Sequence, residues 1–381
     1  MSAPDPAHDE NSNSAAKSPA SGVALNASLP RVAVLPGDGI GREVIAEVVR
    51  LAEALRDGSH LGATWEVLDW GGERYVASGQ AMPSGGIEYL RGFDAILVGA
   101  FGDARVPDAE YMRKVLLGIR FGLDLFINMR PVRCLEERLN PLKHVKAAEI
   151  DLVIVRENTE GSYCGVGGKL YAGTAAEVAL QEMVVTRRGV ERVLRAAFDL
   201  ARSRPRRKVT LVDKANALQF AGELWQRTFG EVASGYPDIT TDHLYADVAA
   251  MEMVRNPGRF DVVVTENLLG DILSDLAAML GGGLGLAASA NLHPGQVSMF
   301  EPVHGSAPDI AGAGRANPLA ALASFSLLLR HIGEGGLSEA LDEAIGGTVR
   351  DGRVTPDLGG CCSTAEVGAA VRDRMMERLE A

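Results

Sequence analysis

Asn267, Asp271 and Asp275 recur at every fourth position directly after the apolar run 260–265. If that run is a buried strand and a helix follows, the three side chains stack on one helical face. Two carboxylates at that spacing repel, so the pattern asks for a partner. A hard divalent cation, Mg²⁺ or Mn²⁺, takes carboxylate oxygens and keeps coordination positions open for a substrate. Exposed aspartates near a helix N-terminus are also favoured by the macrodipole, and spacing alone leaves both readings open. Arg120, Arg130 and Arg156 form a second group. Each lies in or beside an apolar run or at a strand end, where an unpaired guanidinium is costly. Together they would make a pocket for one or two carboxylates through bidentate hydrogen bonds. Lys214, at a strand end, would suit a general base if neighbouring cations lowered its pKa. Tyr163 is a candidate acid and Asp247 a candidate third metal carboxylate, while His304 is expected to pack without an acid–base role.

The elements that must position these residues alternate. A strand over 31–35 runs into Pro36-Gly-Asp-Gly-Ile-Gly41 and an amphipathic helix to about Leu55. The glycines suggest a dinucleotide fingerprint, but the position that wants the third glycine holds Arg42, so a tight strand-to-helix turn is the better reading. Strands are predicted over 64–70 and 94–99 with a helix over 84–91 between them, and a helix over 111–120 precedes Arg130. The strand 151–155 delivers Arg156 and the strand 208–212 delivers Asp213-Lys-Ala-Asn216, with a long helix over 187–202 between. Gly281 to Gly285 form a flexible loop. Asn317-Pro318 opens an apolar helix to about His331, with Asn as N-cap and Pro at the first helical position. Strands alternating with helices predict an α/β layer architecture, in which functional side chains gather at strand carboxyl ends.

The chain of 381 residues carries a net charge of −12 and is 46% hydrophobic. It is long enough for two domains or one large one. An acidic surface argues against nucleic acid or an anionic membrane as partner, though a local arginine cluster can still hold a small anion. Cys134, Cys164, Cys361 and Cys362 make no CxxC pair or zinc-like spacing, which suits a reducing cytoplasm. Residues 1–30 are rich in Ala, Ser, Pro and Asn and are predicted to be a disordered tail rather than a targeting segment. No apolar run approaches the roughly 20 residues that span a bilayer, so a soluble protein is expected.

Taken together, five stretches resemble the β-decarboxylating dehydrogenases, the family of isopropylmalate, isocitrate, homoisocitrate and tartrate/D-malate dehydrogenases. They are Leu35-Pro-Gly-Asp-Gly-Ile-Gly41, Val155-Arg-Glu-Asn-Thr-Glu-Gly161, Asp213-Lys-Ala-Asn216, Gly270-Asp-Ile-Leu-Ser-Asp275 and Glu301-Pro-Val-His-Gly-Ser-Ala-Pro-Asp-Ile310. The resemblance covers Arg31 to the C-terminus and reverses the balance at Asp271 and Asp275 in favour of a metal. It implies a two-domain α/β fold with a mixed sheet and a nucleotide site of its own, not a Rossmann fold. Residues 31–125 with 282–381 would form the nucleotide-binding domain, and 126–281 an inserted substrate and dimerisation domain. The implied assembly is a homodimer with shared active sites, in which Lys214 and Asp247 come from the partner.

The implied reaction is an NAD-dependent, metal-dependent oxidative decarboxylation of a 2-hydroxy acid. By the same resemblance Asp247, Asp271 and Asp275 would hold Mg²⁺ or Mn²⁺, Lys214 would be the base and Tyr163 the acid. Arg120, Arg130 and Arg156 would bind the substrate carboxylates. Glu301, His304, Gly305, Ala307, Asp309, Ile310 and Asn317 would bind the cofactor, with Asp309 favouring NAD over NADP. Leu116 and Leu117 stand where isopropylmalate dehydrogenases carry a leucine pair. Burying three extra substrate carbons is worth roughly 2 kcal/mol at about 0.8 per CH₂, which favours 3-isopropylmalate and leucine synthesis. Tartrate/D-malate enzymes carry a similar pair, and Arg113 with Lys114 would favour a γ-carboxylate, as in isocitrate or homoisocitrate. A silent regulatory subunit would lack part of the catalytic set, and here every matching position is filled.

Overall fold

The computed structural model describes residues 29–106 and 110–381, so most of the 1–30 tail lies outside the described residues. In the first part β1 (Arg31–Gly37), β2 (Thr64–Val67) and β3 (Ala95–Ala100) pair in parallel, connected by α1 (Ile40–Asp57), α2 (Gly72–Ser78) and α3 (Gly86–Leu90). The strand expected over 64–70 stops early: Leu68 still donates to the Val34 carbonyl at 2.8 Å, but Trp70 bonds back to Leu68 in a tight turn. After α4 (Glu110–Gly122), β4 (Ile127–Arg133) runs antiparallel to β5 (Asp151–Glu157). A separate exposed hairpin follows, β6 (Gly167–Leu170) with β7 (Val178–Gln181).

The chain then alternates through α5 (Arg187–Ser203), β8 (Lys208–Asp213), α6 (Gln219–Ala233), β9 (Thr240–Tyr245), α7 (Ala246–Arg255), β10 (Val262–Thr265) and α8 (Asn267–Leu280). It returns through β11 (Ala288–Leu292) and β12 (Ser298–Pro302) and closes with α9 (Leu319–His331), α10 (Gly335–Arg350) and α11 (Thr364–Glu380).

All but the hairpin belong to one ten-stranded mixed sheet, in the order β2-β1-β3-β12-β11-β4-β5-β10-β8-β9. Two parallel blocks, β2-β1-β3-β12 and β5-β10-β8-β9, are joined by a seam of antiparallel pairs through β11 and β4. This is the expected mixed sheet. Its parallel strands read as near-continuous apolar runs because helices cover both faces. In β1, Val32 and Val34 face a core with Phe300, Phe325 and Leu328. Alternate residues Ala33 and Leu35 face Tyr111, Val115 and Ile119 of α4. The second block repeats the arrangement, with Phe198 and Trp225 packed on one face and Phe260, Met253 and Leu273 on the other.

One helix start differs from expectation. Helix α9 begins at Leu319 with Pro318 in the cap position, and the Asn317 side chain accepts from the Leu319 amide at 3.0 Å. The proline sits one place earlier than its usual first helical position.

Candidate active site

Strand β10 is fully buried and hands directly to α8. Glu266 caps that helix, its carboxylate accepting from the Leu268 and Leu269 amides at 2.9 and 2.7 Å. The cap fixes the helix start, and the four-residue spacing then turns Asn267, Asp271 and Asp275 towards the seam. There Arg156, at the end of β5, donates from Nε to Asn267 Oδ1 at 2.9 Å and from Nη1 to Asp271 Oδ1. Arg130 of β4 donates to Ser274 Oγ at 2.7 Å and Asp275 Oδ1 at 2.9 Å, and reaches Asp271 Oδ1 at 3.5 Å. Tyr163 donates to the other Asp271 oxygen at 2.8 Å. Gly270 permits this approach: a Cβ there would meet the Arg156 Cγ at 2.6 Å.

Electrostatics follow from the burial. Burial pushes the Asp271 carboxyl up, but the charges of Arg156 and Arg130 and the Tyr163 hydrogen bond outweigh it and hold the group below the usual carboxylate range. Burial, with the charges of Arg120 and Arg130, brings the Arg156 guanidinium down to about 10 against the pull of Asp271. Burial and the bond to Asp271 raise the Tyr163 phenol, so it keeps its proton at neutral pH.

Arg120 completes the arginine group from α4. Its Nη2 donates to Glu301 Oε1 at 2.8 Å, and it lines a cavity of about 130 Å³ with Leu116, Arg130, Glu301, His304 and Gly305. Leu116 lies one turn before Arg120 and faces that cavity, whereas the half-buried Leu117 does not line it. His304 donates from Nδ1 to the Gly305 carbonyl at 3.0 Å, which leaves Nε2 buried without a partner. Burial lowers its pKa, so the ring is neutral.

The loop that follows carries Ala307 and Ile310, both half-buried, and an exposed Asp309. It is held by the glycine turn after β1: Ile40 donates to the Ser306 carbonyl at 2.9 Å, and a Cβ on Gly39 would come within 2.1 Å of that oxygen. The glycines that imitate a phosphate loop in sequence thus allow the turn to pack against this loop. Asn317 is spent on Asp357, donating at 2.9 Å.

Lys214 and Asp247 lie elsewhere, at the ends of β8 and β9. They pair with each other at 2.9 Å and both reach solvent. The lysine therefore does not stand among the arginines of its own chain, nor does Tyr163 stand beside a lysine. Among the described residues no three His, Cys, Asp or Glu side chains are grouped closely enough to hold a metal. Asp271 and Asp275 share one place, and Asp247 is not with them.

Residues 31–371 match the isocitrate/isopropylmalate dehydrogenase family. The chain belongs to that family. It is 46% identical over 356 residues to a 3-isopropylmalate dehydrogenase of Thermobifida fusca, covering 93% of this chain and 100% of that one. To a 3-isopropylmalate dehydrogenase of Streptomyces griseus it is 47% identical, covering 90% and 98%. Among solved structures, an isocitrate dehydrogenase from Methylococcus capsulatus superposes with a TM-score of 0.83 at 38% identity, covering 91% of this chain and 99% of that one. A β-decarboxylating dehydrogenase from Thermococcus kodakarensis gives 0.76 at 35%, with 92% and 98% covered.

Dehydrogenases of this family use a nicotinamide cofactor and a divalent metal. Asp271 and Asp275 offer hard oxygen donors on successive turns, with side chains 35% and 56% exposed, and so fit such a cation as part of a ligand set. Two groups of this dehydrogenase escape sequence reasoning. Asp38, in the glycine turn, accepts from the Gly72 and Gly102 amides and the Tyr111 hydroxyl at 2.8, 3.0 and 2.9 Å, tying α2 and α4 to the turn. Asn128, Asn158, Ser289 and Asn291 form a buried polar cluster behind Glu301. A Gly-Asp-Gly turn is a weak signal for the first, and only the alternation of polar residues with apolar ones in β11 points to the second.

Proposed function

We propose that the chain oxidises and decarboxylates 3-isopropylmalate to 2-oxoisocaproate with reduction of NAD, a step of leucine synthesis. The observation that carries this reading is Leu116 lining one cavity with Arg120 and Arg130, an apolar wall beside carboxylate ligands, in a chain whose relatives bear that enzyme's name. A branched alkyl group is worth burying there, and an extra carboxylate would be stranded against it. Arg113 is exposed on the same face of α4 one turn further out, which favours a second reading, a substrate with a γ-carboxylate.

In this reading Arg120, Arg130 and Arg156 orient the malate carboxylates. Lys214 takes the proton of the 2-hydroxyl, and Tyr163, protonated at neutral pH, returns a proton to the carbon that loses CO₂; a bound nicotinamide would supply the hydride acceptor for C2. A divalent cation held by Asp271 and Asp275, with Asp247 of a second copy, would supply positive charge against the anion developing on the C2 oxygen. Glu301, His304, Gly305, Ala307, Asp309, Ile310 and Asn317 hold the cofactor. Asp309, exposed on that loop, would accept from the ribose hydroxyls of NAD and would repel a 2′-phosphate.

Because Lys214 and Asp247 lie apart from Asp271, the site is completed by a second copy, and the protein acts as a homodimer. The apolar side chains exposed on α6 to α8 support this, with Phe220 84%, Met251 62% and Ile272 59% exposed. Residues 31–125 with 282–381 are assigned to the nucleotide domain and 126–281 to the inserted domain. Four unpaired cysteines suit the cytoplasm.

The test is the initial rate of NADH formation with Mn²⁺ or Mg²⁺ across 3-isopropylmalate, D-malate, tartrate, isocitrate and homoisocitrate. A kcat/KM preference for 3-isopropylmalate beyond about tenfold is expected. Best activity on a tricarboxylate would overturn the substrate assignment in favour of Arg113.

A further inference from the structure

Asn291, in β11, is fully buried and is paired in register with Asn128 of β4, which is itself opposite Arg156 of β5. Asn128 and Asn158 both donate their amide N–H groups to Asn291 Oδ1, at 2.9 and 3.0 Å. A carboxamide whose oxygen is fixed by two donors must present its NH₂ to the other side. That NH₂ donates to Glu301 Oε1 at 2.8 Å, the same oxygen that receives Arg120. Glu301 and the Arg120 side chain are 9% and 12% exposed, so neither has much water to hold it in place. The carboxylate has two donors on one oxygen, and Asn291 is the one that does not move with α4.

We propose that Asn291 is a positioning residue for the reaction: through Glu301 it holds the Arg120 guanidinium at the angle at which it meets a substrate carboxylate. Asn128 and Asn158 set the orientation of the Asn291 amide, so the relay begins in β4 and the end of β5 and reaches α4 through β12. The charged groups facing Asn291 are Glu301 of β12 and, beyond it, Arg120 of α4, with Arg130 of β4 lining the same cavity and His304 neutral there. The inference rests on Arg120 binding substrate; the parent enzyme's rates test that reading, and the variants test this one.

Two variants decide it. Asn291→Asp keeps both accepted bonds and replaces the donor with a carboxyl beside Glu301. Relative to the parent, the substrate KM should rise at least about tenfold near pH ~8.5 and return to within about threefold near pH ~6, where two adjacent carboxyls share a proton. The kcat ratio should stay within about threefold over the same range. Asn291→Ser removes the donor without adding charge. It should raise the substrate KM about fivefold, yet add less than about twofold when made on a Glu301→Gln background, because the two act through one contact. If Asn291→Asp does not fold, the Asn291→Ser cycle decides alone. A variant-to-parent KM ratio flat with pH, or an Asn291→Ser effect that multiplies undiminished onto Glu301→Gln, would overturn the proposal.

Discussion

The arginine cluster around Asp271 and the Lys214–Asp247 pair each set cations against an aspartate carboxylate, and differ in burial and in the number of partners. Around Asp271, two arginines, an asparagine, a serine and a tyrosine come from β4, β5, α8 and the segment after β5, and Arg156 is 2% exposed. Lys214 and Asp247 come from neighbouring strand ends and touch only one another among the groups with catalytic roles, with side chains 29% and 62% exposed. An exposed ion pair contributes little to stability. A buried charge cluster commits its residues to one geometry, because removing one partner strands the others. One region is therefore a finished half-site and the other a pair of groups offered outward. Under the proposed function, the difference accounts for how a chain could hold the whole catalytic set and still need a second copy to bring it together.

The sharpest way to break that comparison is complementation. Lys214→Met should lower kcat by at least about a thousandfold, and so should Asp271→Asn, each without loss of the dimer. When the two inactive proteins are mixed and their subunits exchanged, about a quarter of the parent activity should return, since half the dimers become mixed and each mixed dimer has one intact site. No recovery despite exchange, seen by native mass spectrometry, would put all catalytic groups in one chain.

Arg156→Met tests the buried half. It leaves Asp271 with Arg130 and Tyr163 and the Asn267 Oδ1 without its donor, and should destabilise the fold by about 3 to 5 kcal/mol, read as a lower denaturant midpoint at unchanged m-value. The matching change in the exposed half, Asp247→Asn, should leave the midpoint almost unmoved while abolishing turnover. Equal midpoint shifts would erase the distinction between the two regions.

Acid should act on the buried side of the site in two steps. The folded Asp271 carboxyl lies below its unfolded value, so its contribution is present above the unfolded pKa of about 3.9 and is lost as pH falls through the folded one. His304 is buried neutral with a lowered pKa. Its contribution is complete above the unfolded value of about 6.5 and declines as pH falls towards the folded pKa. Denaturation titrations should therefore show a loss starting below about pH 6.5 that His304→Gln reduces, with buried His331 contributing the rest, and a second loss at lower pH that Asp271→Asn reduces.

Much of the finished half was legible because helical spacing is local: the face shared by Asn267, Asp271 and Asp275 needs only a strand followed by a helix start. The arginines were legible as a group because guanidiniums in apolar surroundings need a common anion. What was hidden depends on pairing between distant segments. That β12 lies between β3 and β11 is written nowhere near any of them, so the sequence marks Glu301 as a cofactor residue and gives no sign of its bond to Arg120. Asn291 has only the alternation within β11 to mark it in the sequence, although its place in the seam gives it three partners. The Lys214–Asp247 pair was legible as residues, and its separation from Arg156 is a property of the sheet order, in which β10 stands between β5 and β8.

The smallest effect tests specificity at the mouth of the finished half. Leu116 faces the cavity beside Arg120, and Leu117 does not line it. Leu116→Ala removes three carbons from the wall, so kcat/KM for 3-isopropylmalate should fall about tenfold while that for D-malate, which has no alkyl branch to bury, changes less than about twofold. Leu117→Ala should change the ratio of the two substrates by less than about threefold, acting through packing of α4 alone. If Leu117→Ala shifts the ratio as strongly as Leu116→Ala, the alkyl group lies across both leucines, and the wall extends outward along α4 towards Arg113.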